Sequence, residues 1–169
     1  MAEIRIFQAN LVEQVHQVIR ETEIDPRTVR LEITESVSMG DAERTVSVLS
    51  DLKELGVRFS VDDFGTGFSS LSYLHRFPLH VLKIDRSFIS RMVQDADGLA
   101  MVQTIVNLAR DLGMEIVAEG TETEAQVTQL GLLGCDFGQG YFFSKPVEAA
   151  AIPDMLRTSE TSRGRGCLP

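Results

Sequence analysis

Helical and strand periodicity alternate along almost the whole chain, and that alternation leaves few folds open. Residues 10–20 set Leu11, Val12, Val15, Val18 and Ile19 on one helical stripe. The Asp25-Pro26 step breaks that stripe, and residues 29–34 (VRLEIT) read as a strand. Asp41 is the expected N-cap of a helix running to about Leu55, closed by Gly56. A second strand follows at 57–62 (VRFSVD), then a short helix near 69–75, and after Pro78 a third strand over 80–84 (HVLKI). A long helix at 97–112 places Leu99, Val102, Ile105, Val106, Ala109 and Leu112 at helical spacing, and Gly113 ends it. A fourth strand at 114–119 (MEIVAE), a helix at 123–132, a weak fifth strand at 135–138 and a last helix at 147–157 complete the pattern. Strands separated by helices predict an α/β fold, paired in parallel through right-handed crossovers. Both an open doubly wound sheet and part of a (β/α)8 TIM-type barrel satisfy it.

Composition narrows the function classes. The 169 residues suit one domain, and 43% apolar with 24% charged residues is the balance of a folded, soluble chain. No run approaches the 18 apolar residues of a membrane span, and the N-terminus lacks the pattern of a signal peptide. Sixteen basic against 25 acidic residues give a net charge of −9, which would repel a DNA or RNA backbone groove. A small phosphorylated ligand held through metal ions stays compatible with that charge. Cys135 and Cys167 are too few for a disulfide framework, so a cytoplasmic setting is expected. The polar, Gly-containing stretch at the end is expected to be disordered, giving a domain over 1–156 and a tail over 157–169.

The acidic residues follow a rule. On the first strand Leu31 and Ile33 share one face, and Arg30, Glu32 and Thr34 the other. The second strand opposes Phe59 and Val61 to Ser60 and Asp62; the third opposes Leu82 and Ile84 to Val81, Lys83 and Asp85. The fourth opposes Ile116 and Ala118 to Glu115, Val117 and Glu119. Each strand therefore carries an ionisable residue near its C-terminal end, and Glu35, Asp63, Glu122 and Gln139 are expected in the loops beyond. In a barrel that rim is where chemistry sits. Clustered carboxylates repel one another unless hard divalent cations neutralise them, and two such ions can share a bridging carboxylate. Lys83 is the cation among these rim groups, suited to orienting a water or stabilising developing charge on phosphate.

In Asp62-Asp63-Phe64-Gly65-Thr66-Gly67, adjacent carboxylates suit a metal pair, although a helix cap and tight turn would use the same residue types. The Asp63-Phe64-Gly65 triplet has no kinase catalytic loop or Gly-rich loop before it, and no GxxxxGK[ST] occurs. His16, His75 and His80 lack HExxH spacing and read as structural or surface residues. No Ser-centred nucleophile elbow supports acyl transfer.

Five blocks together resemble the EAL-domain family of cyclic-di-GMP phosphodiesterases: Leu31–Ser36 (LEITES), Val61–Leu71 (VDDFGTGFSSL), Leu82–Asp85 (LKID), Val117–Glu122 (VAEGTE) and Gly138–Tyr141 (GQGY). Their order and spacing agree over about residues 4–156. The resemblance implies a (β/α)8 barrel binding two Mg²⁺ or Mn²⁺ ions and opening one phosphodiester bond of cyclic di-GMP to give linear pGpG. By motif position, Glu32 and Asp62 would ligate one ion, with Asp62 bridging to a second held by Asp63 and Glu119. Lys83 would contact the attacking water or the phosphate, with Glu119 and Glu122 beside it in the catalytic set. Gln139 and Asp85 would serve the substrate, and Glu35 would order the loop after Asp63.

The family's Glu-Ala-Leu segment and the Asn-containing strand after it have no counterpart here. The resemblance therefore implies about five of eight strands and two absent ligands of the first metal. Such an arc would leave strand edges open, to be closed by rearrangement, by a second copy or by the missing segment. A sensor or GGDEF domain is the partner the family implies. Hydrolysis is the leading expectation; the alternatives are an inactive module that binds cyclic di-GMP or a signalling partner, and a gene fragment without function.

Overall fold

The computed structural model describes residues 10–34, 42–65 and 74–160. The chain divides into two compact units, Met1–Leu82 and Lys83–Pro169, and the division falls inside a strand.

In the first unit, helix α1 (Leu11–Thr22) leads through a 3₁₀ turn (Pro26–Thr28) into strand β1 (Arg30–Thr34). Asp25 starts the turn: its carboxylate accepts from the Arg27 backbone N–H at 3.0 Å and from the Arg27 guanidinium at 2.9 Å. The same guanidinium lowers the Asp25 pKa. Helix α2 (Ala42–Glu54) and strand β2 (Arg58–Phe64) follow, and strand β3 (Val81–Ile84) begins in this unit. β1 and β2 pair in parallel, with Leu31 opposite Phe59, Ile33 opposite Val61 and Thr34 opposite Asp62. The core gathers Leu11, Ile33, Leu49, Leu52, Val57, Phe59 and Phe77. Phe59 is fully buried, and residue 80 ties its backbone twice. The His80 N–H donates to the Phe59 carbonyl at 3.0 Å, and the Phe59 N–H donates to His80 Nδ1 at 3.2 Å. The Nδ1 contact gives the His80 ring a structural role in this unit.

In the second unit, β3 ends and helix α3 (Arg86–Met92) starts at once. Helix α4 (Ala96–Asp111), strand β4 (Glu115–Glu119), helix α5 (Glu124–Leu133) and strand β5 (Phe137–Gln139) come next. A 3₁₀ turn (Ala149–Ala151) precedes helix α6 (Ile152–Glu160). Side-chain caps start three of the helices: Asp85 for α3, Asp95 for α4, and for α5 a reciprocal box between Thr123 and Gln126. α4 buries Val102, Ile105, Val106 and Ala109, and it packs against α3 and β4. β4 and β5 pair in parallel with Glu119 opposite Gln139.

Hydrogen-bonded neighbours run β1-β2-β3 in the first unit and β3-β4-β5 in the second. The fold is α/β, with parallel strands alternating with helices. Among the described strands, neither unit contains the reversal of strand order that a doubly wound sheet requires. No helix among the described residues is long and apolar enough to cross a membrane.

Four expectations need correction. The sequence pattern leaves residues 85–96 without an expected element, and α3 fills part of that stretch; its cap, Asp85, also fits the end of the strand pattern. Asp63 and Gln139 lie inside β2 and β5 rather than in loops. The last helix starts at Ile152, not 147, because Pro153 is tolerated only in a first turn. It carries residues 157–160 of the expected tail; residues 161–169, the expected cap Asp41 and most of the helix near 69–75 lie outside the described residues.

Phe59→Ala is expected to cost about 3–5 kcal/mol in urea unfolding, the range for emptying a closed aromatic site. Burial pushes the Cys135 thiol up to about 12. In a Cys167→Ser background, Cys135 should resist iodoacetamide at pH 8 when folded and react in guanidinium. Because the folded pKa is the raised one, this group contributes no pH dependence well below 9. Stability should fall as pH climbs from there towards 12.

Candidate functional site

Strand β2 carries the first group of site residues, all in the first unit. Its central residues are buried on both faces, and Asp62 is buried with them. Asp63, next along, is exposed and takes φ +54°, a left-handed conformation inside a strand. That residue breaks the alternation which would send consecutive side chains to opposite faces. The Asp62 and Asp63 carboxylates consequently offer oxygens within 4.8 Å of one another. The Asp63 N–H donates to Asp62 Oδ1 at 3.1 Å, a charge-assisted bond that fixes the first carboxylate. Glu32 sits opposite Ser60 in the register, so Glu32, Thr34, Ser60 and Asp62 share a face. Ser60 Oγ is buried there with no hydrogen-bond partner among the described residues.

Two close carboxylates, with an unsatisfied hydroxyl oxygen on the same face, form a hard-oxygen donor set. Divalent cations of the Mg²⁺ and Mn²⁺ kind select this chemistry, and the residues present fit it.

The second group belongs to the second unit. Lys83 is buried in β3, and its Nζ pairs with Glu119 Oε1 at 2.8 Å. Three residues on from each, Arg86 Nη2 pairs with Glu122 Oε1, also at 2.8 Å. Asp85, between the two cations, accepts from the Ser87 N–H at 2.9 Å and the Ser87 hydroxyl at 2.5 Å. Both bonds fall on Oδ1, which caps α3.

The loop after β4 is held from several directions. Thr121 is fully buried; its N–H donates to the Gln139 carbonyl and its own carbonyl accepts from the Phe142 N–H, both at 3.0 Å. The buried Gln126 accepts from the Glu122 and Thr123 N–H groups at 2.7 and 3.0 Å and donates to the Ile89 carbonyl at 3.2 Å. Gly120 has φ +67°, and a Cβ there would collide with the Arg86 side chain. A Cβ at Gly140 would strike the Thr121 backbone.

A cavity of about 260 Å³ opens above this loop, lined by Arg86, Glu119, Gly120, Glu122, Gln139, Gly140 and Tyr141. Three expected site residues, Glu119, Glu122 and Gln139, thus meet at one cavity, and Lys83 reaches it through Glu119. Sequence reasoning missed Arg86 and Tyr141. The available signal for Arg86 was the matching three-residue step in 83/86 and 119/122. Glu35 lies outside the described residues.

Residues 2–146 match the family described as EAL domain. The chain belongs to the EAL-domain family. It is 44% identical over 152 residues to MucR of Pseudomonas aeruginosa, a bifunctional diguanylate cyclase/cyclic di-GMP phosphodiesterase, covering 90% of this chain and 22% of MucR. The chain thus spans less than a quarter of that relative. Among solved structures, a MucR phosphodiesterase in complex with c-di-GMP superposes at a TM-score of 0.85 with 43% identity. The match covers 90% of this chain and 62% of that one. BlrP1 of Klebsiella pneumoniae, solved with c-di-GMP and manganese, matches at a TM-score of 0.76 and 30% identity, over 83% of this chain and 36% of its own. The same protein was also solved with calcium. The EAL fold agrees with the strand order found in each unit.

Removing the carboxylate from a buried ion pair weakens what offsets the buried ammonium, at a cost of about 3 kcal/mol or more. Glu119→Gln should therefore destabilise the EAL domain by that order in urea unfolding, and Lys83→Met/Glu119→Gln should recover most of the loss. A double variant no more stable than the single one would deny the pair this role.

Proposed function

We propose that the chain is a metal-dependent phosphodiesterase module that hydrolyses cyclic di-GMP to linear pGpG. The observation that carries this reading is the Asp62–Asp63 pair, two carboxylates brought within 4.8 Å by a left-handed residue inside a strand. Backbone conformations unusual for a side-chain-bearing residue cluster where function demands them. Support comes from the named activity of MucR and from c-di-GMP, manganese and calcium in related solved structures.

In this reading Glu32, Asp62 and Asp63 would hold Mg²⁺ or Mn²⁺. When bound, such ions supply Lewis-acid charge and a water acidic enough to act as nucleophile. The chain's own residues do the remaining work. Lys83, buried and rigid, presents an ammonium to the charge that develops on phosphate oxygens. Glu119 keeps that ammonium in place through their ion pair. Gln139 offers an uncharged amide at the cavity wall, where it can bond the ligand without repelling phosphate. Glu122 offers a carboxylate there for the proton that hydrolysis moves. Hydrolysis places a hydroxyl on phosphorus and a proton on the departing ribose oxygen, leaving a linear dinucleotide. Asp85 would serve the substrate from the β3–α3 junction, and Glu35 keeps its proposed loop-ordering part. The module works in the cytoplasm, beside a sensor or GGDEF domain or a second copy of itself.

The test is incubation of the purified chain with cyclic di-GMP and Mn²⁺, following pGpG by chromatography. Metal-dependent product is expected, falling below detection in Asp62→Asn. Millimolar Mg²⁺ or Mn²⁺ should also raise the melting temperature of the parent and not of Asp62→Asn, since a ligand that binds only the folded state stabilises it. Saturable c-di-GMP binding without product would replace hydrolysis by a binding role. A folded chain giving neither product nor binding would reject the reading.

A further inference from the structure

We propose that Arg86 is a positioning residue: it holds the Glu122 carboxylate at the wall of the cavity and keeps the loop after β4 in its left-handed form. The inference rests on the hydrolytic reading above only for what Glu122 then does; the positioning itself stands on geometry within the second unit.

Three observations converge on Arg86. First, its own backbone is fixed, because Asp85 caps α3 and makes Arg86 the first residue of that helix. The side chain therefore leaves the fold from a rigid point. Second, its methylene groups occupy the space over Gly120 that a Cβ would need. Gly120, at φ +67°, is the residue at which the chain turns out of β4. The packing of Arg86 and the absence of a side chain at 120 are two halves of one fit. Third, Nη2 reaches Glu122 Oε1 at 2.8 Å. The Glu122 backbone is already held by Gln126, so the Arg86 contact fixes the side chain beyond it.

The energetics separate positioning from folding. Arg86 and Glu122 are 64% and 42% exposed at their side chains, and an exposed ion pair adds little to global stability. Its effect is local: it sets where one carboxylate sits. Lys83–Glu119 and Arg86–Glu122 then form two rungs between the same two segments, one buried for anchorage and one at the surface for aim.

The experiment compares the parent with Arg86→Ala, Arg86→Lys, Glu122→Gln and Arg86→Ala/Glu122→Gln. Native-state hydrogen exchange reads the Gly120 and Glu122 amides, and pGpG formation gives kcat and KM. In Arg86→Ala those amides should exchange about fivefold faster while the amides of α4 keep their rates, because only the loop loosens. Arg86→Lys should restore part of the protection, since its methylene chain still covers Gly120. The fall in kcat in Arg86→Ala should disappear in the Glu122→Gln background, with melting temperatures close to the parent throughout. Unchanged exchange at both amides in Arg86→Ala overturns the positioning role. An equal fall in kcat with and without the Glu122 carboxylate overturns its action through Glu122. If the parent itself forms no pGpG, the hydrolytic reading fails, and hydrogen exchange still decides for or against Arg86.

Discussion

A buried ammonium must be answered by negative charge, and much of the second unit follows from that requirement. Lys83 lies in a strand whose four residues are all buried, so its ammonium is largely withdrawn from solvent. Glu119 supplies the answer from the end of β4, and the end of β4 must then be fixed to within a hydrogen bond's tolerance. β5 does this by pairing alongside, placing Gln139 opposite Glu119 and accepting the Thr121 N–H. A well-packed apolar pair could match such an ion pair in stability. What the ion pair adds is a charged nitrogen held at a defined point beside a cavity.

The first unit solves a different problem. A strand alternates its side chains, and two consecutive carboxylates would ordinarily face apart. The left-handed residue at Asp63 brings them together, and aspartate is among the few side chains that adopt this conformation without large cost. The strand around it is buried on both faces, which gives the irregular residue a rigid frame. Rigidity in the regular part permits irregularity at the end.

Much of this was legible in the sequence, and the failures share a cause. Among the described residues four strands were legible because period-2 alternation is a local signal, and the short β5 only weakly so. The side chains at Glu32, Asp62, Lys83 and Glu119 were placed on strand faces by the same parity, and the family followed from blocks of residue types at fixed order. α3 escaped because one residue, Asp85, serves both as the end of a strand pattern and as a cap. Asp63 and Gln139 were placed one element too far along because a left-handed step and a three-residue strand leave no periodicity to read. For Arg86 the matching three-residue step was the only signal, and it does not say what the side chain touches. Its place depends on the missing Cβ of Gly120, a relation between distant positions that no local pattern carries.

The cavity beside β4 has an unusual wall: two of its seven lining residues are glycines, and each is glycine because another part of the chain already occupies the space a side chain would take. Those two surfaces are therefore bare peptide, presenting polar backbone groups and no adjustable atoms. Variation at either glycine would disturb the scaffold before it reshaped the cavity. Adjustment of the cavity is thereby left to the remaining wall, above all to the exposed Tyr141. Part of this surface is closed to change by sterics, and the part left open decides what a descendant of this chain can learn to hold.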